Sequence, residues 1–249
     1  MPAIKAQNRG HGPLLQVRKG NQMQILILAP ILLILIIAPG IWVKRVMERY
    51  HSPPDRYGRS GGETARKLLD SLGLEQVGTE ITESGDHYDP TEKVVRLTEQ
   101  NYHGKSLTAV TIAAHEVGHA LQDAEGFAPL KWRTRLVKWV SPIEKTGAIL
   151  MMATPLIIGI TRLPVAGLLM FFGGLLTLGS AVAVHMLTLP TELDASFGRA
   201  LPLLKKQEVL YPADERHARR LLKAAAMTYV SASLMSLLNI ARWWAILRR

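Results

Sequence analysis

Two histidines and a glutamate in the stretch AAHEVGHALQ, residues 113–122, have the types and spacing of a metal site. His115 and His119 are four residues apart, so on a helix they project from one face and can reach a single ion. Glu116 is rotated from His115 by about 100°, which lets its carboxylate reach a water on that ion. The pattern predicts two neutral nitrogen ligands for Zn²⁺ and a glutamate general base for hydrolysis.

The alternative is a pair of surface histidines on an ordinary amphipathic helix. The residues around the motif are apolar and small, including alanines at 113, 114 and 120 and a glycine at 118. Burying two histidines and a glutamate beside them without compensation would be costly. The flanking sequence therefore favours the metal site.

A catalytic zinc needs a third protein ligand, and the best candidate lies in TLPTELDASFGRAL, residues 188–201. Two apolar runs separate the motif from this segment, so the chain returns to the side it left. Glu192 follows at once, with Pro190 suited to the start of a new helix. Asp194 is the nearest rival, and Ser196 and Arg199 could support the ligands or stabilise charge. A solvated helix start is the alternative for this acidic cluster.

The other histidines are weaker candidates. His185 lies inside an apolar run, and we expect a packed or interface histidine there, although ionisable groups in such runs can be functional. His87 and His103 are expected to be loop residues and not ligands. The DHYDP segment, residues 86–90, could border the active-site cleft. His217 is expected on a charged helix face.

Several local patterns predict the elements that position these residues. Ser106 opens a segment without proline that predicts a helix over about 106–124, ending near Gly126. A second, short amphipathic helix is predicted over Ser60–Leu72, with Gly73 after it. KVVRLT, at Lys93–Thr98, is short and β-branched, which predicts one strand of a small sheet. That strand could hold an extended peptide by edge pairing.

The chain is 249 residues long, 48% hydrophobic, and carries four long apolar runs. Runs of this length are typical of transmembrane helices. The formal charge of +10 is spread around these runs, so contact with anionic lipid explains it better than nucleic acid. No cysteine is present, which excludes disulfides and thiolate ligands.

These observations predict a mainly α membrane protein of about four transmembrane helices, with a membrane-surface, zincin-like (gluzincin) α+β catalytic domain. Basic residues are more frequent beside the apolar runs on the catalytic side, which predicts a cytoplasmic active site. The predicted organisation is a flexible tail at 1–22, transmembrane helix 1 at 23–43, the catalytic domain at 44–140, a transmembrane hairpin at 146–189, a returning segment with the third ligand at 190–222, and transmembrane helix 4 at 224–247.

Four ordered stretches carry a resemblance to a known family: DHYDPTEKVVRLTE, AVTIAAHEVGHALQ, TLPTELDASFGRAL and AAAMTYVSASL. They resemble the YugP-type neutral zinc metallopeptidases, bacterial membrane proteins, over nearly everything from Met23 to the C-terminus. More distantly, HExxH followed by a glutamate in E-x-x-A resembles the HtpX-type and prenyl-protein membrane proteases. That resemblance implies His115, His119 and Glu192 as zinc ligands and Glu116 as the base. The distant relatives place an aspartate where this chain has Ser196.

The expected activity is zinc-dependent hydrolysis of peptide bonds (metalloendopeptidase, EC 3.4.24 type) in a bacterial cell membrane, on peptide or protein substrates that include membrane proteins. Glu116 would take the proton of the attacking water and return it to the leaving amine. Two alternatives remain: a catalytically silent, zinc-binding membrane scaffold or adaptor, and an intramembrane protease. The polar residues Gln122, Asp123 and Glu125 on the motif helix disfavour the second.

Overall fold

The structure is a computed structural model that describes residues 30–247, apart from 32, 35 and 163. The predicted tail at 1–22 and the first residues of the predicted helix at 23–43 lie outside the described residues. The helices are α1 (residues 36–49, preceded by helical residues 30, 31, 33 and 34), α2 (Gly61–Ser71), α3 (Glu99–His103), α4 (Leu107–Ala124), α5 (Ala128–Thr161), α6 (Pro164–Leu193), α7 (Leu201–Lys206) and α8 (Glu215–Leu247), with a π-helix at Asp194–Ala200 and a 3₁₀-helix at Pro212–Asp214. The strands are β1 (Gly78–Ile81), β2 (His87–Asp89) and β3 (Val94–Leu97).

The prediction of about four transmembrane helices is wrong. In the part of the chain that the structure describes, no helix combines the length and the apolar character needed to cross a membrane. Two of the apolar runs, those at 146–160 and 224–247, belong to longer helices, α5 and α8, that also carry charged residues. The run at 146–160 is the second half of α5, for example, and the first half contains Lys131, Arg133 and Arg135.

Helices α5 and α6 form a hairpin. The turn between them includes Arg162, which caps α5 in the left-handed region with φ of 51°. Because so short a turn makes the two helices antiparallel, the first turns of α5 lie beside the last turns of α6. Helix α8 also packs against α6. We call the end of the hairpin where α5 begins and α6 ends its base.

Pro190 does not begin a new helix, contrary to the sequence prediction. It lies inside α6, which continues to Leu193 and passes directly into the π-helix Asp194–Ala200. Proline removes one backbone donor from the helix, and π-helical turns are one way in which a helix absorbs such a local change of register. Glu192 is therefore presented by the end of a long helix and not by the start of a short one.

The predicted short helix after Ser60 is confirmed as α2. The Ser60 hydroxyl accepts from the Glu63 N–H, and the Glu63 carboxylate accepts from the Ser60 N–H in return. This reciprocal capping box satisfies two backbone donors at the start of the helix. Gly73 follows the helix with φ of 69°, a conformation that favours glycine.

The predicted strand at Lys93–Thr98 is β3, but it is not an edge strand. The sheet order is β1-β3-β2, with β1 parallel and β2 antiparallel to β3. Both sides of β3 are therefore occupied, and the suggestion that it holds a peptide by edge pairing is wrong. Of the two outer strands, β2 is the one that packs against α4, which carries the HExxH motif. Among the described residues, its outer edge pairs with no other strand.

The core is built around α4. Nearly all its residues are buried, because it contacts the sheet, α2, the π-helix and α8. Apolar side chains from each of these elements surround it, among them Leu68, Leu69, Val95, Leu97, Ala200 and Leu222. The polar residues of the HExxH motif therefore lie in a rigid, water-poor environment.

Candidate metal centre

Helix α4 holds His115 and His119 on one face, toward the base of the hairpin. Their ring centroids are 4.8 Å apart, and both side chains are buried. The helix is fixed at its start by the Ser106 hydroxyl, which accepts from the Ala109 N–H. The two imidazoles thus sit on a rigid element, as a preorganised ligand pair requires.

Glu192, in the last turn of α6, brings a carboxylate to both histidines. Its Oε2 lies 3.3 Å from Nε2 of His115 and 3.3 Å from Nε2 of His119. The edge of a tetrahedron with metal–ligand bonds of about 2.05 Å is about 3.3 Å long. One donor atom from each of the three side chains lies within 4.8 Å of the others. The donor set and the spacing therefore fit a zinc ion.

The charge state of Glu192 also suits a ligand. Burial alone would raise its pKa, but the contacts with His115 and His119 outweigh burial and hold the pKa well below its usual range. The carboxylate, only 1% exposed, is therefore ionised. Metal ligands have to be deprotonated, so no proton needs to leave Glu192 before an ion binds.

The second nitrogen of each histidine has its own partner. Nδ1 of His119 lies 2.9 Å from Oε1 of Gln122, and Nδ1 of His115 lies 3.1 Å from the Ser196 hydroxyl. An amide oxygen can only accept, so Nδ1 of His119 carries the hydrogen and leaves its Nε2 lone pair for a metal. Contacts of this kind orient the imidazoles of metal sites and fix their tautomers.

Gln122 also ties α4 to the segment around Glu192. Its amide NH₂ donates to the Thr191 carbonyl at 2.9 Å and to Asp194 Oδ2 at 2.7 Å. These two acceptors lie on either side of Glu192 in the chain. One buried amide therefore orients one ligand, His119, and positions the backbone that carries another.

The acidic residue considered as a rival ligand has a different place. Asp194 accepts from Gln122 and from Arg199 Nε at 2.7 Å, and Arg199 in turn pairs with Glu125 at 2.7 Å. Asp194 is outside the three-residue cluster. Ser196 contacts His115, whereas Arg199 reaches the site only through Asp194.

Gly118, between the two histidines, allows the π-helix to approach α4 closely. A Cβ at this position would lie 2.7 Å from the backbone oxygen of Ala195. Backbone cannot move aside as a flexible side chain can, so only glycine fits here without a shift. The glycine of the motif thus sets the distance between the histidines and the segment that follows Glu192.

Glu116 is buried beside this cluster but is not part of it. Desolvation by burial is the largest influence and raises its pKa to about 7, and the nearby negative charge of Glu192 acts in the same direction. The shift is opposed by His115. A carboxyl group with a raised pKa, next to a candidate metal position, is suited to accept and return a proton.

A cleft of about 200 Å³ opens onto these residues. Its wall includes three residues in or next to β2, which are Asp86, His87 and Tyr88. Arg133 from the second turn of α5 and Thr228 from α8 complete this part of the wall. A larger depression of about 740 Å³ lies elsewhere, between Ser60 and Lys105, and none of the four motif and ligand residues lines it. We take the smaller cleft as the candidate active site because the chemistry is there.

The weaker candidates are placed as follows. His87 lines the cleft, with Nδ1 2.8 Å from the Gly85 carbonyl. His103 ends α3 and lines the larger depression. His217 lies on α8, 3.7 Å from Asp214. The prediction for His185 falls on a side chain outside the described residues.

Two residues of the site were missed by the sequence reasoning. Gln122 lies three residues after His119, and this helical spacing could have placed it next to that imidazole. Arg133, whose Nη1 lies 3.0 Å from Oε1 of Glu192, had no sequence signal. In the sequence it is one of several basic residues near an apolar run.

Comparisons with known proteins point to a family of zinc peptidases. A family model described as "Putative neutral zinc metallopeptidase" matches residues 24–248. The chain is also 36% identical over 203 residues to "Putative membrane protease YugP" from Bacillus subtilis (strain 168), an alignment that covers 81% of this chain and 86% of the relative. No solved structure matches the chain. The resemblance read from the motifs is thus confirmed, and the chain belongs to the neutral zinc metallopeptidase family.

Proposed function

We propose that this protein is a zinc-dependent endopeptidase with a gluzincin-type site, in which His115, His119 and Glu192 hold the ion and Glu116 is the general base. The observation that carries the proposal is the convergence of Glu192 Oε2 on both Nε2 atoms at tetrahedral-edge distance, with Glu116 in the same cleft. Bound zinc would supply a Lewis acid that polarises the scissile carbonyl and acidifies water.

The chain's own groups handle the proton. Glu116 is adjacent to His115 on α4, and its raised pKa makes it both an acceptor and a donor near neutral pH. It would take the proton of the attacking water and pass it to the nitrogen of the leaving amine. Burial excludes competing water from this transfer.

The substrate we propose is an extended peptide segment. Among the described residues, β2 pairs with β3 alone, and its residues His87 and Tyr88 line the cleft. An added strand on the outer edge of β2 would run past the candidate metal position. Main-chain hydrogen bonds would then bind the peptide with little dependence on sequence.

We further propose that the protein works in contact with a membrane. The printed name of the Bacillus relative calls that protein a membrane protease. In this chain, α5 and α6 expose large apolar side chains, with Trp139 74% and Leu176 77% exposed. An exposed apolar surface of this kind marks contact with lipid or protein. Flotation of the purified protein with phosphatidylglycerol vesicles tests the point, and protein that stays at the bottom of the gradient would contradict it. The cytoplasmic orientation stays a prediction.

The decisive test of activity is Glu116→Gln. We expect the variant to bind one zinc per chain, as the wild type does, but to lose cleavage of a fluorogenic peptide library by at least about 100-fold, the scale of general acid–base catalysis. Removal of zinc from the wild type should abolish cleavage, and added zinc should restore it. Equal cleavage by Glu116→Gln would exclude the assigned base. A wild type that binds zinc but cleaves nothing would favour the silent scaffold.

A further inference from the structure

The two oxygens of the Glu192 carboxylate have different partners. Oε2 faces both histidines at 3.3 Å, whereas Oε1 lies 3.0 Å from Nη1 of Arg133. The carboxylate is therefore held with one oxygen toward the candidate metal position and the other turned away from it. A carboxylate can bind an ion through one oxygen or through both, so this orientation has a chemical consequence.

The ion pair with Arg133 is what offsets the burial of Oε1. This oxygen has no regular hydrogen bond from any residue in the described part of the chain, although the side chain is only 1% exposed. An ionised, buried oxygen without a compensating charge would destabilise the folded protein. The guanidinium supplies the compensating positive charge at 3.0 Å.

The pair is built into the base of the hairpin. Arg133 lies in the second turn of α5, and Glu192 lies in the last turn of α6. Leu130, one turn before Arg133, is 4% exposed and anchors the start of α5 in the interior. The Arg133 side chain remains 24% exposed and lines the cleft. The anchored start of α5 therefore fixes the backbone from which Arg133 reaches Glu192.

We propose that Arg133 is a positioning residue that holds Glu192 as a one-oxygen ligand and so keeps the fourth metal position open for water. If both carboxylate oxygens bound the ion, the second would occupy or crowd that position. Arg133 acts through Glu192 and need not touch the substrate. The inference rests on the proposed metal site.

The test uses Co²⁺ in place of Zn²⁺, because visible absorption of Co²⁺ is strong with four ligands and weaker with five. We expect the wild type to give the strong, four-coordinate spectrum. Arg133→Met should give the weaker spectrum and a zinc dissociation constant about 10- to 100-fold higher, the usual effect of removing such a supporting contact. Arg133→Lys keeps the charge but lacks the planar fork, so its values should lie between the two.

The matched control is Arg135→Met, which removes an exposed arginine two residues along the same helix. We expect its cobalt spectrum and zinc affinity to equal those of the wild type. If Arg133→Met does not fold, Arg133→Lys carries the comparison alone.

The inference is overturned if both Arg133 variants keep the wild-type spectrum and bind zinc within about twofold of the wild type. A change in KM or kcat alone, with spectrum and affinity unchanged, would instead place Arg133 against the substrate and would equally overturn it. Failure of the wild type to bind either metal would be a different result, because it refutes the proposed metal site itself.

Discussion

Nδ1 of His119 donates to Oε1 of Gln122 over 2.9 Å, and both residues lie on the same turn of α4. Gln122 is completely buried, and its NH₂ group donates both hydrogens to the segment around Glu192. Every polar atom of this amide is therefore used. A neutral group orients the imidazole here, where many zinc sites use a carboxylate. The carboxylate on this side, Asp194, accepts from the Gln122 amide and not from the imidazole.

The first prediction concerns this amide. Gln122→Met keeps the size of the side chain but removes the acceptor for His119 and both donors to the Glu192 segment. We expect the zinc dissociation constant to rise about 10- to 100-fold, with cleavage reduced at limiting zinc. Competition with a chromophoric chelator measures the affinity. Gln100→Met, on the exposed side of α3, should leave affinity unchanged. An affinity of Gln122→Met within about twofold of wild type would exclude the orienting role.

The second prediction concerns the close approach at Gly118. In Gly118→Ala, the new Cβ would lie 2.7 Å from the Ala195 carbonyl oxygen, so the π-helix has to move away from α4. We expect a loss of about 1–3 kcal/mol in the free energy of unfolding, as is typical of overpacking, together with weaker zinc binding because Glu192 shifts with its neighbours. Urea denaturation and the same chelator competition measure the two effects.

Gly159→Ala is the control for this substitution. Gly159 is also helical, but a Cβ there meets nothing within 4 Å. Alanine should leave zinc affinity unchanged and should not destabilise the protein, since alanine has the higher helix propensity. If Gly118→Ala behaves like Gly159→Ala, the distance between α4 and the π-helix does not depend on the glycine.

The local parts of the site could be predicted from the sequence because they depend on helical spacing alone. The HExxH spacing places His115 and His119 on one face of α4 whatever the rest of the chain does. Glu192 could be proposed because two long apolar runs must return the chain to its starting side. An antiparallel hairpin is enough for this return, and the structure has one in α5 and α6 even though the transmembrane assignment was wrong.

The features that the sequence did not predict correctly depend on tertiary contacts. The central position of β3 could not be read from its residues, because an edge strand and a short central strand share the same β-branched pattern. Helix continuation through Pro190 was missed because proline usually begins or breaks a helix. The pairing of Arg133 with Glu192 joins residues on two helices across the base of the hairpin, and no local spacing reports such a contact.

The third prediction concerns acid stability and a carboxylate outside the candidate metal centre. Asp214, 2% exposed, lies just before α8 and accepts from Arg56 Nε at 2.6 Å, Arg56 Nη2 at 2.7 Å and the Tyr57 hydroxyl at 2.6 Å. Burial alone would raise the pKa of Asp214, but these hydrogen bonds outweigh it and lower the pKa below the usual value. They tie the segment before α2 to the start of α8.

A pKa that is lower in the folded state means that the unfolded chain binds the proton more readily. The stabilisation from Asp214 is therefore fully present above about pH 5 and is lost as pH falls below about 4, the ordinary pKa of aspartate, toward the folded value. Asp214→Asn should lower the free energy of unfolding at pH 7 by about 2 kcal/mol, the scale of hydrogen bonds to a charged group. The deficit relative to wild type should shrink at pH 3.

Urea denaturation of the zinc-free protein at pH 7, 5, 4 and 3 measures this dependence. Glu192 also has a lowered pKa, but it is present in both proteins and cancels in the difference between them. Asp55→Asn, which removes an exposed aspartate from the same segment as Arg56, should match the wild type at every pH. A deficit for Asp214→Asn that stays constant from pH 7 to pH 3 would mean that the ionised carboxylate is not the source of the stability, because an ionisation that contributes nothing leaves no dependence on pH.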